Sequence, residues 1–387
     1  MIGSIKVKRF NVCWKMFYKI QNADGKCWLM PMRDVRMGLA LYQPSGWKGR
    51  LLKQLFPYLH WSKVVRRVLK IEVVEYDLSE ELREVICRAF GVDDFRYSVF
   101  CGTPSVHQKT TMQVWSEDKI LGYMKLTESE EVAKLFGLEA EFLKEIIVNS
   151  QQSTVNSQQI LTPSATLVPL RQGDNIEGQQ LLGQVPMVEM VRCGALFVLL
   201  QTTRKTLKSK VVHEWGALQE NFLKRLYDAA AKEMVWEESD LAKSLELLKT
   251  HLDWLPDGVD RIKILEQIDD VVGKYRGTMV DYSAYHGDFT PWNMFVEKGE
   301  LFVFDWEYAG KSYPKGLDRY HFWMQTVIFE KHWGVEELEE YIGSAEGKWI
   351  DRDMLKLYLL DVMSRYVMRE GRKVKELGLF GVWGELL

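Results

Sequence analysis

The sequence predicts an α+β protein of two lobes, strand-rich first and helix-rich second. Three observations carry this prediction. Short apolar segments separated by turn residues cluster between residues 96 and 187. Beyond residue 210, apolar side chains recur at threes and fours over long stretches. One strand-like island, Met279–Glu307, interrupts that helical half, and strands and helices segregated along a chain mark the α+β class.

Phe10–Tyr18 and Lys26–Met32 read as short strands around the turn Asn22–Ala23–Asp24–Gly25. Gly49–Lys70 reads as a basic amphipathic stretch interrupted by Pro57. Leu78–Phe90 reads as a helix, capped by Ser79 with Glu80 and Glu81 in its first turn. Tyr97–Cys101, Thr110–Trp115 and Lys119–Leu126 read as strands, and Glu130–Ile147 as a helix. A polar tract follows in which Asn149–Gln152 recurs as Asn156–Gln159, too short for a repeat architecture and expected to be a solvated loop. Strands are expected again at Ala165–Leu170 and Gln180–Gln184. Helical spacing then covers Lys210–Glu233, Glu238–His251, Val259–Tyr275, 316–332 and 351–370. The expected partition is a basic Trp-containing accessory region over 1–90, a strand-rich N-lobe over 91–187 and a helical C-lobe over 188–387.

Composition excludes several classes. The 387 residues are 47% hydrophobic and 27% charged, which is ordinary globular usage and argues against disorder or a fibrous protein. No apolar run approaches the ~20 residues of a membrane-spanning helix. Basic residues at Lys6, Lys8, Arg9, Lys15 and Lys19 break any secretory apolar core. Five widely spaced cysteines with no CxxC fit reduced thiols in the cytoplasm, and offer neither a disulfide framework nor a zinc site.

The net charge of −3 hides an asymmetry. Residues 1–70 hold fifteen Lys+Arg against Asp24 and Asp34, a net of +13, and the remainder carries −16. With Trp14, Trp28, Trp47 and Trp61 among these cations, the segment reads either as a surface for an anionic partner or as a neutralising cover for the acidic remainder. Docking to a membrane surface or an anionic glycan is the favoured form of the first reading, with nucleic acid disfavoured. Localisation is expected to be cytoplasmic, with a peripheral membrane position compatible.

The chemistry concentrates in Tyr285-His-Gly-Asp-Phe-Thr-Pro-Trp-Asn293 and the hairpin that follows, which ends Asp305-Trp-Glu307. Met294–Glu297 and Leu301–Phe304 meet at Lys298–Gly299, so folding the hairpin returns Asp305 towards Asn293. A strict two-residue turn pairs Asn293 with Phe304 and leaves Asp305 one step out of phase, so a longer loop or a bulge is expected. An amide oxygen and a carboxylate at one hairpin mouth suit Mg²⁺. Asp288, on the preceding loop, would supply a base that orients a hydroxyl, and phosphoryl transfer needs little beyond positioning and charge neutralisation.

The pattern His-x-Asp-x-x-x-x-Asn, followed by a hairpin ending in Asp-Trp-Glu, resembles the aminoglycoside phosphotransferase and choline kinase superfamily, whose fold is similar to protein kinases. The resemblance implies a two-lobed protein-kinase-like fold with an extra N-terminal region. It implies Asp288 as catalytic base, Asn293 and Asp305 as Mg²⁺ ligands, His286 as the residue that shapes the loop, and Glu307 as a weaker candidate near the metal. Asp318 resembles the family's downstream aspartate that braces the loop.

The same resemblance directs attention upstream. Lys125, at a strand end, would reach the α/β-phosphates of ATP or GTP. Glu139 would position it, with Glu141 as the competing choice. Gly102 and Lys109 bound the segment expected to cover the phosphates, although one glycine is fewer than in the protein-kinase loop, and an ordinary hairpin turn is the alternative. Gln184–Met187, with Val185 and Met187 as contacts, is expected where the hinge of the fold meets adenine. The expected activity is ATP- and Mg²⁺-dependent phosphorylation of a hydroxyl on a small molecule or saccharide. The alternative is a kinase-like pseudoenzyme that binds nucleotide or a partner without transfer.

Overall fold

Alternation along the first strands sends neighbouring side chains to two different cores. Phe17 and Leu29 enter one buried cluster, while Tyr18, Ile20, Trp28 and Met30 enter another. The structure is a computed structural model that describes residues 16–22, 25–42, 47–102, 104, 108–152 and 183–387. The expected strand at Ala165–Leu170, residues 10–15 and 180–182, and the repeat at Asn156–Gln159 lie outside the described residues.

Two compact units divide the chain. The first takes the chain as far as Lys144, together with Val185–Ser209, and the second includes Lys210–Leu387. The first contains β1 (Met16–Gln21), β2 (Cys27–Pro31), β3 (Glu72–Glu75), β4 (Arg96–Cys101), β5 (Thr110–Ser116), β6 (Lys119–Thr127), β7 (Val188–Cys193) and β8 (Leu196–Thr202). They form one sheet in the order β3-β1-β2-β4-β5-β6-β8-β7, and every pairing in it is antiparallel. Helices α1 (Val35–Gly38), α2 (Trp47–Leu59), α3 (Lys63–Val68), α4 (Glu80–Phe90) and the first part of α5 (Glu130–Gln152) complete it. On one side of the first strands Leu82, Ile86, Ala89 and Phe90 of α4 join Phe17 and Leu29; with Tyr18 and Trp28, Phe56 of α2 makes the other cluster.

The division falls elsewhere than at 90 and 187. Residues 16–90 share a sheet with 96–202 because β2 pairs with β4 through Cys27↔Cys101 to Leu29↔Val99. β7 and β8, which the helical reading of the second half omits, extend the same sheet from β6. The near-continuous apolar run of β8, Leu196–Leu200, carries little alternation to announce a strand.

The second unit is built on helices α6 (Ala217–Ala230), α7 (Asp240–Thr250), α8 (Arg261–Tyr275), α9 (Leu317–Phe329), α10 (Val335–Gly343), α11 (Arg352–Glu370) and α12 (Leu379–Leu386). Two small antiparallel sheets insert among them: β10 (Lys232–Val235), β11 (Met279–Tyr285) and β14 (Gly310–Tyr313), and then β13 (Glu300–Val303), β12 (Met294–Glu297) and β9 (Lys210–Val211). The helix expected over Lys210–Glu233 is therefore α6 alone, flanked by β9 and β10. Ser239, Asp260 and Asp351 cap α7, α8 and α11 by accepting hydrogen bonds from backbone N–H groups in their first turns. α11 is the central helix: Leu355, Leu357, Tyr358, Leu359, Leu360, Val362, Met363 and Val367 are all buried in the main core.

A buried catalytic-type loop and a separate lysine–glutamate pair

β11 delivers the chain to His286, and the residues that follow are held by groups from α9 and α11. Gly287 has φ +79°, and a Cβ there would meet the Tyr308 carbonyl oxygen at 2.3 Å. Glycine is required on both counts. The His286 and Gly287 N–H groups donate to the two carboxylate oxygens of Asp318 at 3.0 and 3.2 Å. Asp318 is buried at the start of α9, and burial pushes its carboxyl up to about 7 against the pull of those two N–H groups. Arg365 of α11 donates to the Gly287 carbonyl, to the Tyr285 hydroxyl at 2.8 Å and to Asp361 at 2.9 Å.

The tautomer of His286 follows from its neighbours. The Asp288 backbone N–H donates to Nδ1 at 3.1 Å, so the proton resides on Nε2, which donates to the Phe304 carbonyl at 3.2 Å. Burial lowers its pKa to about 4, so the ring is neutral at pH 7. His286 thereby ties the loop to the residue just before Asp305.

Asp288 is clamped at both oxygens. Oδ1 accepts from Nε2 of His321 at 3.0 Å, and Oδ2 accepts from Nδ2 of Asn293 at 2.7 Å. The same Asn293 nitrogen donates to the Asp288 carbonyl at 3.0 Å. Burial is the largest influence on the Asp288 pKa and raises it, but the His321 hydrogen bond together with the electrostatic pull of His321 and His286 leaves the carboxyl below its ordinary value. His321, lowered by burial, donates as a neutral ring, and its Nδ1 lies 3.3 Å from the Tyr358 hydroxyl.

The hairpin corrects one expectation. The turn has two residues, Lys298 and Gly299, with φ of 52° and 85°, and the register is unbroken from Glu297↔Glu300 to Met294↔Val303. This left-handed pair matches the twist of the flanking strands, so neither a longer loop nor a bulge is needed. Asn293 does face Phe304, whose N–H donates to the Asn293 carbonyl at 3.0 Å. Asp305 recovers its place through its own backbone, with φ of 68°. That left-handed conformation, which Asp tolerates better than most residues, redirects the chain one step after the strand ends. The Asp305 carboxylate acts electrostatically on both His286 and Asp288, raising the pKa of each.

The donor set fits a hard divalent cation. Asn293 turns its nitrogen to Asp288, which leaves its amide oxygen directed away from that contact. Together with Asp305 it offers one amide oxygen and one carboxylate, a sparse oxygen set of the kind Mg²⁺ uses when phosphates and waters supply the rest. Among the described residues no group of three or more His, Cys, Asp or Glu forms a self-sufficient metal cage.

In the first unit, Lys125 of β6 and Glu139 of α5 form a buried ion pair at 2.7 Å, both residues at most 5% exposed. The other Glu139 oxygen accepts from Gln201 of β8 at 2.7 Å. Glu141 is exposed, so Glu139 is the partner, the choice that the family resemblance favours. The Gly102 N–H points to the Lys109 carbonyl at 3.5 Å, and Gln108 donates to the Gly102 carbonyl at 2.8 Å. Thr103 and residues 105–107 of that segment lie outside the described residues. Val185 is buried. The Met187 N–H donates to Thr202 Oγ1 at 2.9 Å and its carbonyl accepts from the Thr202 N–H at 2.9 Å. Trp28 is likewise core, stacked on Phe100 with ring centroids 5.0 Å apart. Trp14 lies outside the described residues.

His321, Asp361 and Arg365 are the contributors that the sequence reading passed over. Two signals were available. Asp318 and His321 are three apart on a helix and so share a face. Asp361 and Arg365 are four apart inside the apolar run of α11, where charged residues are buried only as partners.

The second unit thus carries the braced loop and the hairpin mouth, and the first carries the sheet-borne lysine–glutamate pair. Residues 200–346 match the model of the family described as APH, phosphotransferase enzyme family. The resemblance drawn from His286, Asp288, Asn293 and Asp305 is borne out by this match, and the α+β class by the strand-rich first unit and the helical second. The match spans Asp288, Asn293, Asp305, Asp318 and His321 but not Lys125, Glu139 or Arg365. Similar solved structures include a thermostable mutant of aminoglycoside phosphotransferase APH(4)-Ia in ternary complex with ADP and hygromycin B: 10% identity, 79% of this chain and 97% of that one, TM-score 0.45. Amicoumacin kinase hAmiN with AMP-PNP, Ca²⁺ and Ami shows 13% identity over 80% of this chain and 92% of that one, TM-score 0.36. ADP-bound aminoglycoside phosphotransferase APH(2'')-Ib shows 13% identity over 74% of this chain and 99% of that one, TM-score 0.35. No curated protein matches the sequence.

Proposed function

We propose that this protein transfers the γ-phosphoryl group of ATP to a hydroxyl of a small molecule or saccharide, with Mg²⁺ as the metal. The observation that carries the reading is the two-sided clamp on Asp288. A carboxylate held ionised by His321 and aimed by Asn293 can accept a hydrogen bond from an acceptor hydroxyl and fix its direction of attack. His286 keeps the loop shape as a neutral ring, and Asp318 and Arg365 prevent the loop from relaxing.

Asn293 and Asp305 would hold the Mg²⁺, which when bound neutralises charge on the transferring phosphate. Lys125, positioned by Glu139, supplies a fixed cation for the nucleotide phosphates. Gly102 and Lys109 belong to the segment proposed to cover them. Val185 and Met187 are retained as contacts for the base.

The test is ATP turnover with and without Mg²⁺ across sugars, amino sugars and amino alcohols. Acceptor-dependent ADP release that requires Mg²⁺ supports the reading. Full activity in Asp288→Ala overturns the assigned role of Asp288, and tight nucleotide binding with no turnover towards any acceptor favours the pseudoenzyme.

A further inference from the structure

The helices α2 and α3 present an inverted amphipathic face. α2 buries Phe56 in the cluster of Tyr18 and Trp28 and packs Leu52 against it. Yet the opposite side is also apolar. Trp47, Leu51, Leu55 and Tyr58, spaced at i, i+4, i+8 and i+11, form one stripe and are 68, 46, 45 and 64% exposed. Trp61 at 71%, and Val64 and Val68 of α3 at 72 and 74%, continue the exposed apolar surface. Among the described residues, 47–69 carry nine of the twenty-one exposed large apolar side chains, a density far above scattered surface hydrophobics.

The charge around this face has a single sign. No Asp or Glu occurs between Asp34 and Glu72. Lys53 and Arg66 turn inward, to the Tyr42 carbonyl and the Tyr18 hydroxyl, but Arg50, Lys63, Arg67 and Lys70 are exposed beside the apolar side chains. The Trp61 indole N–H donates to the Tyr58 carbonyl at 2.9 Å, and the Tyr58 hydroxyl accepts from Arg36 at 3.2 Å. Both side chains are therefore anchored while largely exposed, at little further cost in side-chain entropy.

We propose that the α2–α3 face is a docking surface for an anionic lipid bilayer. Exposed Trp and Tyr at headgroup depth, aliphatic side chains reaching the acyl boundary and flanking cations are the combination that holds a helix flat in the interface. A protein partner of ordinary composition would need to match an apolar centre with a purely acidic rim. No helix among the described residues is long and apolar enough to cross a membrane, so attachment here is to the surface only. The inference is independent of phosphoryl transfer and is measured without nucleotide.

The test is co-sedimentation of the full chain with phosphatidylcholine vesicles, and with vesicles rich in phosphatidylglycerol. Binding is expected to the anionic vesicles and to fall as salt rises. Lys63→Glu with Arg67→Glu should weaken it about tenfold or more, and Leu51→Ser with Leu55→Ser should weaken it at every salt concentration. Circular dichroism and the melting midpoint confirm that each variant folds; if one does not, the salt titration of the unaltered chain still decides. Absence of binding to the anionic vesicles overturns the proposal, as does equal binding to both compositions or indifference to the charge reversal. A solution dimer that Leu51→Ser with Leu55→Ser converts to monomer assigns the face to a second copy and also overturns it. So does binding to a soluble acidic polysaccharide that the serine substitutions leave unchanged.

Discussion

The loop 286–305 and the α2–α3 face invert one another. In the loop, polar groups are buried and tied to fixed partners: His286 has three hydrogen bonds, Asp288 is held at both oxygens and Asp318 accepts two backbone N–H groups. On α2–α3, apolar groups are exposed and cations surround them. Both arrangements are expensive in isolation, the first through desolvation and the second through apolar surface left in water. Each is a place where the chain departs from simple burial, and such departures mark function more reliably than a well-filled core does.

The contrast predicts graded responses. The largest belongs to Asp288→Asn, which should lower phosphoryl transfer by roughly 10²–10⁴-fold, measured as kcat at saturating acceptor, with little change in melting midpoint. Next is Arg365→Met, which strands the buried Asp361 carboxylate and frees the Gly287 carbonyl. Denaturant unfolding should show a loss of about 3–5 kcal/mol. His321→Gln should lower kcat less than Asp288→Asn does. Without its hydrogen bond the Asp288 carboxyl titrates higher, so the acid limb of the kcat/KM profile should move to higher pH.

Stability against pH separates the two buried titratable groups of the loop. His286, at about 4, stays neutral in the native state, while the unfolded chain takes up its proton below the ordinary 6.5. It therefore makes stability rise with pH from about 4 to 6.5. Asp318, at about 7, retains a proton in the native state that the unfolded chain releases above its ordinary value of 3.8, so it makes stability fall with pH across that window. Asp318→Asn removes the opposing group. Its stability should climb more steeply between pH 4 and 6.5 than that of the parent, by at most about 1.4 kcal/mol per pH unit. The smallest effect is expected from Val64→Ser with Val68→Ser, which touch no core and should shift unfolding free energy by about 0.5 kcal/mol or less each.

Some of this was legible without coordinates. The Ser79 cap, the acidic Asp318 in the first turn of α9 and the hairpin at Lys298–Gly299 follow from local spacing and residue chemistry, and the pairing of Lys125 with Glu139 from the family resemblance. β8 was not, because its buried apolar run loses the alternation that identifies a strand, and β7 pairs only with it at the sheet edge. Nor was the membership of residues 16–90 in the main sheet, since strand pairing between Cys27 and Cys101 is fixed by long-range register.

The sequence by itself determined the α+β class, the loop that carries Asp288, the two-oxygen pair Asn293 and Asp305, and the charge asymmetry of the first 70 residues. All of these depend on residue identity and short spacing. Only the tertiary structure decided that Asp305 turns through a left-handed backbone, that His321 and Arg365 converge on the loop from α9 and α11, and that Trp28 is core while Trp47 and Trp61 are surface. Those outcomes depend on which elements pack together, and burial and hydrogen-bond partners thirty to eighty residues away are properties of the folded chain, absent from any local window.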